Sequence, residues 1–155
     1  MGGTALSVLS PYRAERVAPI VVAQLIAEGL VRRSGSWYSV AGLPYGYDLQ
    51  APELEVEPDE LRVVEAAAGK RMRCDILLHI FVSDVGGRPA LARIAEQVAR
   101  WTEGWVHVEF ASTPPADLLA LLSGAGCCLV VEDAVYLDAA AMTAWRNHPD
   151  FHVLK

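Results

Sequence analysis

The stretch from Arg73 to Phe110 constrains the fold of this chain more than any other. It opens with an apolar run, Ile76 to Val82, which is interrupted at Asp84–Gly87. A segment with helical periodicity follows, Gly104 ends it, and Trp105–Phe110 has the composition of a second strand. The stretch therefore predicts a β-α-β unit. The helical residues that we expect to pack on the sheet are Ile94, Val98 and Trp101.

The rest of the chain alternates between strand-like and helix-like segments, and it contains no internal repeat. Strands and helices that mix along a whole chain predict a sheet with helices packed on it. We therefore predict an α+β fold with a single mixed β-sheet, in one globular domain over 1–155, a length that suits one domain. The connection inside the central unit is long enough for a right-handed parallel crossover.

Charge and composition exclude several classes of function. The formal net charge of −6 disfavours nucleic acid as a partner and favours a protein with a basic surface. No apolar run approaches the roughly 20 residues of a membrane helix, and the N-terminus does not resemble a secretory signal. The three cysteines, Cys74, Cys127 and Cys128, are an odd number that includes an adjacent pair, so we expect free thiols and a cytoplasmic protein.

Two histidines in the central unit are the only candidates for site chemistry there. His107 shares a strand face with Glu109, and His79 lies in the other predicted strand. If the two strands were neighbours, these side chains would meet as a metal site or an acid–base pair. Their spacing matches no known metal signature, so we predict no catalytic residue, no metal, no cofactor and no enzyme. A small enzyme or ligand-binding domain that uses the three residues remains the alternative.

A second alternative comes from the segment Leu25 to Val40, which reads LIAEGLVRRSGSWYSV. A helix, a turn with two arginines and a strand resemble the end of a winged-helix DNA-binding module, in which Arg32 and Arg33 would contact phosphates. Too few residues precede the segment to form the two earlier helices of such a module, and the chain is acidic overall.

The segment from Ala41 to Asp59 is rich in glycine and proline, which predicts an irregular surface loop. It contains carboxylates and tyrosines but no lysine or arginine. Aromatic residues dominate interface hot spots, and a patch of one charge accelerates association with an oppositely charged partner. A solvated linker would have the same composition. The predicted partner-binding residues are Tyr45, Tyr47, Asp48, Glu53, Glu55, Glu57, Asp59 and Glu60.

Two stretches carry a family resemblance, GRPALARIAEQVARWTEGWVHVEF and YLDAAAMTAWRNHPDFHVLK. A helix that leads into a Gly-Trp-Val strand and a Trp-x-x-His-Pro-x-Phe ending resemble small, mostly actinobacterial proteins that are grouped with immunity proteins of polymorphic toxin systems. The resemblance covers Arg73 to Lys155 and carries over no functional residue. It implies a cytoplasmic protein that binds a cognate toxin and occludes its active site.

Overall fold

The computed structural model of the protein describes residues 3–154. Eight strands and five helices follow one another along these residues, with a single 3₁₀ turn at Val85–Gly87. In chain order they are β1 (Thr4–Ser10), α1 (Ala14–Ala27), β2 (Val31–Arg33), β3 (Ser36–Tyr38), β4 (Pro44–Gln50), α2 (Pro58–Ala68), β5 (Cys74–Ile80), α3 (Arg88–Thr102), β6 (Trp105–Val108), α4 (Ala116–Ala125), β7 (Cys128–Val131), β8 (Ala134–Leu137) and α5 (Ala139–Arg146).

The strands form one 8-stranded sheet in the order β2-β3-β4-β5-β1-β6-β8-β7. Every pairing between these strands is antiparallel. The five helices pack on this sheet, which confirms the α+β class with helices on a single sheet. The sheet is antiparallel throughout and not mixed as predicted, because β1 is inserted between β5 and β6, which run parallel to each other and therefore do not pair.

The central unit forms as β5-α3-β6, but its two strands are not neighbours. Leu9 of β1 lies opposite Asp75 of β5 on one side and opposite Trp105 of β6 on the other. The crossover through α3 therefore passes over β1. The condition under which the two histidines would meet, that β5 and β6 are neighbours, is not fulfilled, because an earlier strand that nothing within Arg73–Phe110 encodes lies between them.

One face of the sheet, the helical face, is covered by α1, α3, α4 and α5. Alternate residues of the central strands point to it and are almost completely buried, as are Ile94 and Val98 of α3. Trp101 is 60% exposed, so the prediction that it packs on the sheet was wrong. Trp101 lies at the edge of the apolar arc of α3, and Thr102 occupies the buried position in the last turn, where its hydroxyl donates to the Val98 carbonyl.

A buried ion network joins two of the helices on this face, α3 and α5. Glu96 of α3 is 3% exposed and accepts hydrogen bonds from Thr143 (2.5 Å), Arg146 (2.6 Å) and Arg100 (3.0 Å). Burial opposes the charge of Glu96, but these three hydrogen bonds outweigh it and lower the pKa of the carboxyl. The network thus holds the two helices together in register.

The opposite face of the sheet carries a smaller apolar cluster under α2. Val64 of α2 packs there with Leu9, Trp105 and Tyr136. Leu54 and Val56, from the segment before α2, pack against the same cluster. Because only one helix lies on this side, the part of the face on β4, β5 and the start of β1 is left without a helix above it.

The predicted loop from Ala41 to Asp59 is only partly irregular. Pro44–Gln50 forms β4, an internal strand between β3 and β5. Pro44 is the first residue of the strand, where a missing N–H is tolerated. Gly46 lies beneath the Phe81 ring, and a Cβ there would come within 2.6 Å of Cε2. The strand thus tolerates Pro44 because it comes first, and Gly46 because the Phe81 ring fills the space above it.

The segment with Arg32 and Arg33 does not have the surroundings that the winged-helix alternative requires. Val31–Arg33 and Ser36–Tyr38 form a hairpin at one edge of the 8-stranded sheet, so they are not the wing of a three-helix module. No helix among residues 3–154 has the length and apolarity needed to cross a membrane.

Candidate protein-binding surface

The segment between β4 and α2 displays three carboxylates in a regular pattern. Leu54 and Val56 are half-buried against the apolar cluster under α2, while Glu53, Glu55 and Glu57 are exposed. The backbone bends at Glu53 and Val56, so the alternation is one of burial and not of a continuous strand. The three exposed residues, here called the acidic ridge, lie on the outer side of a segment that Leu54 and Val56 anchor.

Two further predicted carboxylates, Asp59 and Glu60 at the start of α2, have partners within the chain. Asp59 is exposed and forms an ion pair with Arg62 one helical turn away. Glu60 is half-buried and accepts a hydrogen bond of 2.6 Å from the Tyr136 hydroxyl. Burial and this carboxylate raise the pKa of Tyr136. Glu60 therefore ties α2 to β8, and both residues are less free for a partner than the ridge.

The two tyrosines do not form the exposed aromatic patch that the sequence predicts. Tyr45 is 2% exposed on the helical face, and its hydroxyl donates to the Gly87 carbonyl at 3.2 Å. Tyr47 is half-buried against the same core. The prediction of exposure was wrong because both residues alternate inward along β4. A partner cannot reach Tyr45 unless this part of the fold opens.

Asp48 points to the opposite side of β4 and is exposed. Its Oδ2 lies 3.2 Å from Nε2 of His79 on the neighbouring strand. Burial lowers the pKa of His79, and the charge of Asp48 acts in the opposite direction. The His79 ring lies 4.5 Å from that of Phe81, which is 51% exposed. Carboxylate and aromatic surface thus adjoin on this strand pair.

These residues belong to the part of the sheet that α2 leaves uncovered. Cross-strand register places Asp48 beside Leu77, Leu77 beside Ser7, and Ala5 beside His79. Ala5 is exposed, and Ser7, Leu77 and His79 are partly exposed. The uncovered sheet face consists of Ala5, Ser7, Asp48, Leu77, His79 and Phe81.

His79 and His107 do not come together. They lie on β5 and β6 with β1 between them, which separates the strand axes by about 10 Å. The ring of His107 instead packs 5.1 Å from that of Tyr136, and Glu109 is exposed. Among residues 3–154, no three histidine, cysteine or acidic side chains are placed to hold a metal ion. The alternative site built from His79, His107 and Glu109 therefore does not form.

Asp75 is a buried carboxyl that the sequence did not single out. It is 6% exposed on β5, and its Oδ1 has no hydrogen-bond partner among the described residues. Burial, with a smaller effect from the charge of Glu55, raises its pKa to about 6. The acidic ridge therefore lies close enough to act electrostatically on the sheet below. The alternation of β5 could have revealed this side chain, because it shares a face with Leu77 and His79.

The three cysteines are free thiols. Burial raises the pKa of all three, to about 11 for Cys74. A thiol nucleophile needs a lowered pKa, so none of these environments activates a thiolate.

Comparisons with protein-family models, with curated proteins and with solved structures found no match. The function is therefore inferred from the chemistry of the surface. Two neighbouring features distinguish that surface: the acidic ridge, held by its two apolar anchors, and the uncovered sheet face.

Proposed function

We propose that this protein is an immunity-type binding protein that holds a basic surface of a partner protein and blocks the partner's active site. The observation that carries the proposal is the anchored alternation of the acidic ridge. Glu53, Glu55 and Glu57 are held outward because Leu54 and Val56 are held inward. A fixed row of like charges loses less conformational entropy on binding than a flexible linker of the same composition.

The uncovered sheet face supplies the apolar part of the proposed interface. Stable interfaces combine a partly apolar centre with charged groups that orient the partner. Phe81 and Leu77 provide apolar surface beside Asp48, and the ridge follows directly after β4. A row of one charge in a protein of net charge −6 also attracts a basic protein over a long range.

The identity of the partner comes from the family resemblance of Arg73–Lys155. Immunity proteins of polymorphic toxin systems bind a cognate toxin in the cytoplasm of the producing cell. A toxin that acts on nucleic acid or another anionic substrate has a basic active site, to which the ridge is complementary. The cognate toxin is therefore the proposed partner, and steric occlusion is the proposed mechanism.

The test uses the partner recovered with this protein from the producing organism and then purified. The ridge variant Glu53→Lys, Glu55→Lys, Glu57→Lys reverses three charges. The control variant Asp117→Lys, Asp133→Lys, Asp150→Lys makes the same change in net charge at exposed positions away from the ridge. Exposed ion pairs contribute up to about 1 kcal/mol each, so we expect the ridge variant to weaken binding about 100-fold.

The control variant should bind within about threefold of the unmodified protein, because its changes act only through net charge. Raising the salt concentration should weaken the unmodified complex and leave the ridge variant almost unaffected. The recovered partner should be toxic when expressed alone and harmless when co-expressed with this protein. Equal affinity of the two triple variants would remove the ridge from the interface, and a non-toxic partner would contradict the immunity function.

A further inference from the structure

The two edges of the sheet differ in charge. The edge strands are β2 and β7, each of which pairs with a neighbour on one side. β2 carries Arg32 and Arg33, whereas β7 carries no charged residue. Charged side chains on an edge strand hinder its pairing with another copy of itself, because like charges are then brought together. The edge at β7 lacks this protection.

The backbone of β7 offers free hydrogen-bonding groups at this edge. The Asp138 N–H donates to the Cys127 carbonyl at 3.1 Å, which fixes the phase of the ladder between β7 and β8. The N–H and C=O groups of successive residues in an antiparallel strand point alternately to its two sides. Those of Cys128 and Val130 therefore point away from β8, and no backbone group among residues 3–154 bonds to them.

Apolar side chains accompany this free edge. Val130 lies opposite Val135 of β8, which belongs to the core under the helices, so the Val130 side chain points to the helical face. It is 51% exposed there. The helix beside β7 on this face is α4, on which Leu121 is also half exposed. Strand edge and helix together form an apolar surface that nothing in the described chain covers.

The same surface is free of charge. No residue from 118 to 131 is acidic or basic. Two copies of a protein with a net charge of −6 repel each other, and the repulsion is strongest where carboxylates face carboxylates. An uncharged apolar surface with unpaired backbone groups is therefore the place where a second copy fits best.

We propose that β7 pairs antiparallel with β7 of a second copy, so that the sheet continues across a two-fold axis. Cys128 of one copy lies opposite Val130 of the other, and each such pair exchanges N–H···O bonds in both directions. This register uses the free groups of both residues in both copies. It places Leu129 on the axis. Because the same surface is used on both sides, the contact closes as a dimer and does not propagate.

This geometry keeps like charges apart. Glu132 is three residues from the axis in each copy, so the two Glu132 residues lie about 20 Å from each other at opposite ends of the paired strands. That distance exceeds the screening length of about 8 Å at physiological salt. A short strand pairing with one helix from each copy is a small interface, for which we expect a dissociation constant in about the micromolar range. The proposal does not depend on the immunity function.

Sedimentation velocity of the full-length protein tests the proposal. The unmodified protein should change from monomer to dimer between about 1 μM and about 500 μM. Val130→Lys places a charge at the free edge and should raise the dissociation constant at least about 30-fold. Val31→Lys is the matched control, because Val31 is 55% exposed on the other edge strand and the change in net charge is the same. This control should dimerise like the unmodified protein.

Disulfide trapping tests the register. In a background of Cys127→Ser and Cys128→Ser, Leu129→Cys places one thiol from each copy on the axis. The Cα atoms of such a non-hydrogen-bonded pair are about 4.5 Å apart, which is within the range of a disulfide. Oxidation should give a covalent dimer that a reductant reverses, whereas Val31→Cys in the same background should stay monomeric.

Three results would overturn the proposal. The first is an unmodified protein that remains monomeric at the highest concentration. The second is equal dimerisation of Val130→Lys and Val31→Lys, which would place any dimer contact elsewhere. The third is a failure of Leu129→Cys to cross-link more than Val31→Cys. Both lysine substitutions are at exposed positions, so equal thermal unfolding of the two variants shows that a lost dimer is not a lost fold.

Discussion

The two faces of the sheet are built from alternate residues of the same strands, yet they differ sharply in what covers them. On β5, Leu78 points to the helical face and is completely buried, while its neighbour Leu77 points to the other face and is partly exposed. Four helices cover the first face, whereas α2 and the short segment with Leu54 and Val56 cover only part of the second.

The face that contributes most to stability is therefore not the face that is open to a partner. Burial of apolar surface dominates folding, and most of it lies on the helical face. The second face holds the less favourable groups, which include an unpaired buried carboxyl and three exposed carboxylates of one sign. We interpret this asymmetry as a scaffold on one side and a binding surface on the other.

The largest expected effect comes from a matched pair of adjacent leucines. Leu78→Ala should lower the free energy of unfolding by about 2–5 kcal/mol, because it leaves a cavity in a closed core. Leu77→Ala should cost about 1 kcal/mol or less, because its side chain is already partly solvated. Chemical denaturation of both variants measures the difference. Similar losses in the two variants would show that the second face contributes equally to stability.

The second largest effect on stability is expected for the ion network between α3 and α5. Glu96→Ala should cost about 3 kcal/mol, since it leaves Arg146 and Arg100 without their shared buried carboxylate. The pKa of Glu96 is lowered in the folded state, so its contribution is present above the ordinary value of 4.5 and is lost as the pH falls below it. Glu96→Gln is the control for the charge alone. A loss from Glu96→Ala that stays constant from pH 7 to acid would contradict this account.

Asp75 should show the opposite dependence on pH. Its pKa rises from the ordinary 3.8 to about 6 in the folded state, so unfolding becomes easier as the pH increases through that window. Asp75→Asn removes this penalty and should stabilise the protein by about 3 kcal/mol above pH 6, with little effect near pH 4. Thermal unfolding of variant and unmodified protein across this range gives the difference directly. A constant difference at all pH values would rule out ionisation as its cause.

The smallest effect is expected at the acidic ridge itself. The ridge variant with lysine at positions 53, 55 and 57 should change stability by no more than about 0.5 kcal/mol, because exposed side chains contribute little to folding. Denaturant titration beside the control triple variant checks this. A large loss would mean that the ridge is structural, and weaker partner binding could then not be assigned to a lost contact.

The sequence predicts the fold further than it predicts the surface. The apolar periodicity of Ile94 and Val98 encodes their burial directly, so the central unit could be recognised. The insertion of β1 between β5 and β6 is a long-range pairing without a local signal, and it decided that His79 and His107 stay apart. The strand β4 was not predicted because it contains Pro44 and Gly46, which usually disfavour strands. The Phe81 ring packs over Gly46, and Phe81 lies too far along the chain for this contact to be predicted from local sequence.

Composition alone was enough to predict the exposed residues of the site, but not their arrangement. Clustered acidic residues marked Glu53, Glu55 and Glu57, and the structure keeps all three exposed. The same reasoning misplaced Tyr45, since a strand turns every second residue inward. The alternation of β5 places Asp75 on the same face as Leu77 and His79, but its burial depends on tertiary packing that the local sequence does not encode.

Hydrogen–deuterium exchange of the protein alone and in complex with its purified partner tests the central claim most directly. The account predicts that the partner slows exchange of backbone amides between Ala51 and Glu57, a segment that lies outside helices and strands in the free protein. Amides of α3 and α5, which cover the helical face, should exchange at unchanged rates. Protection confined to those helices, with no change between Ala51 and Glu57, would contradict it.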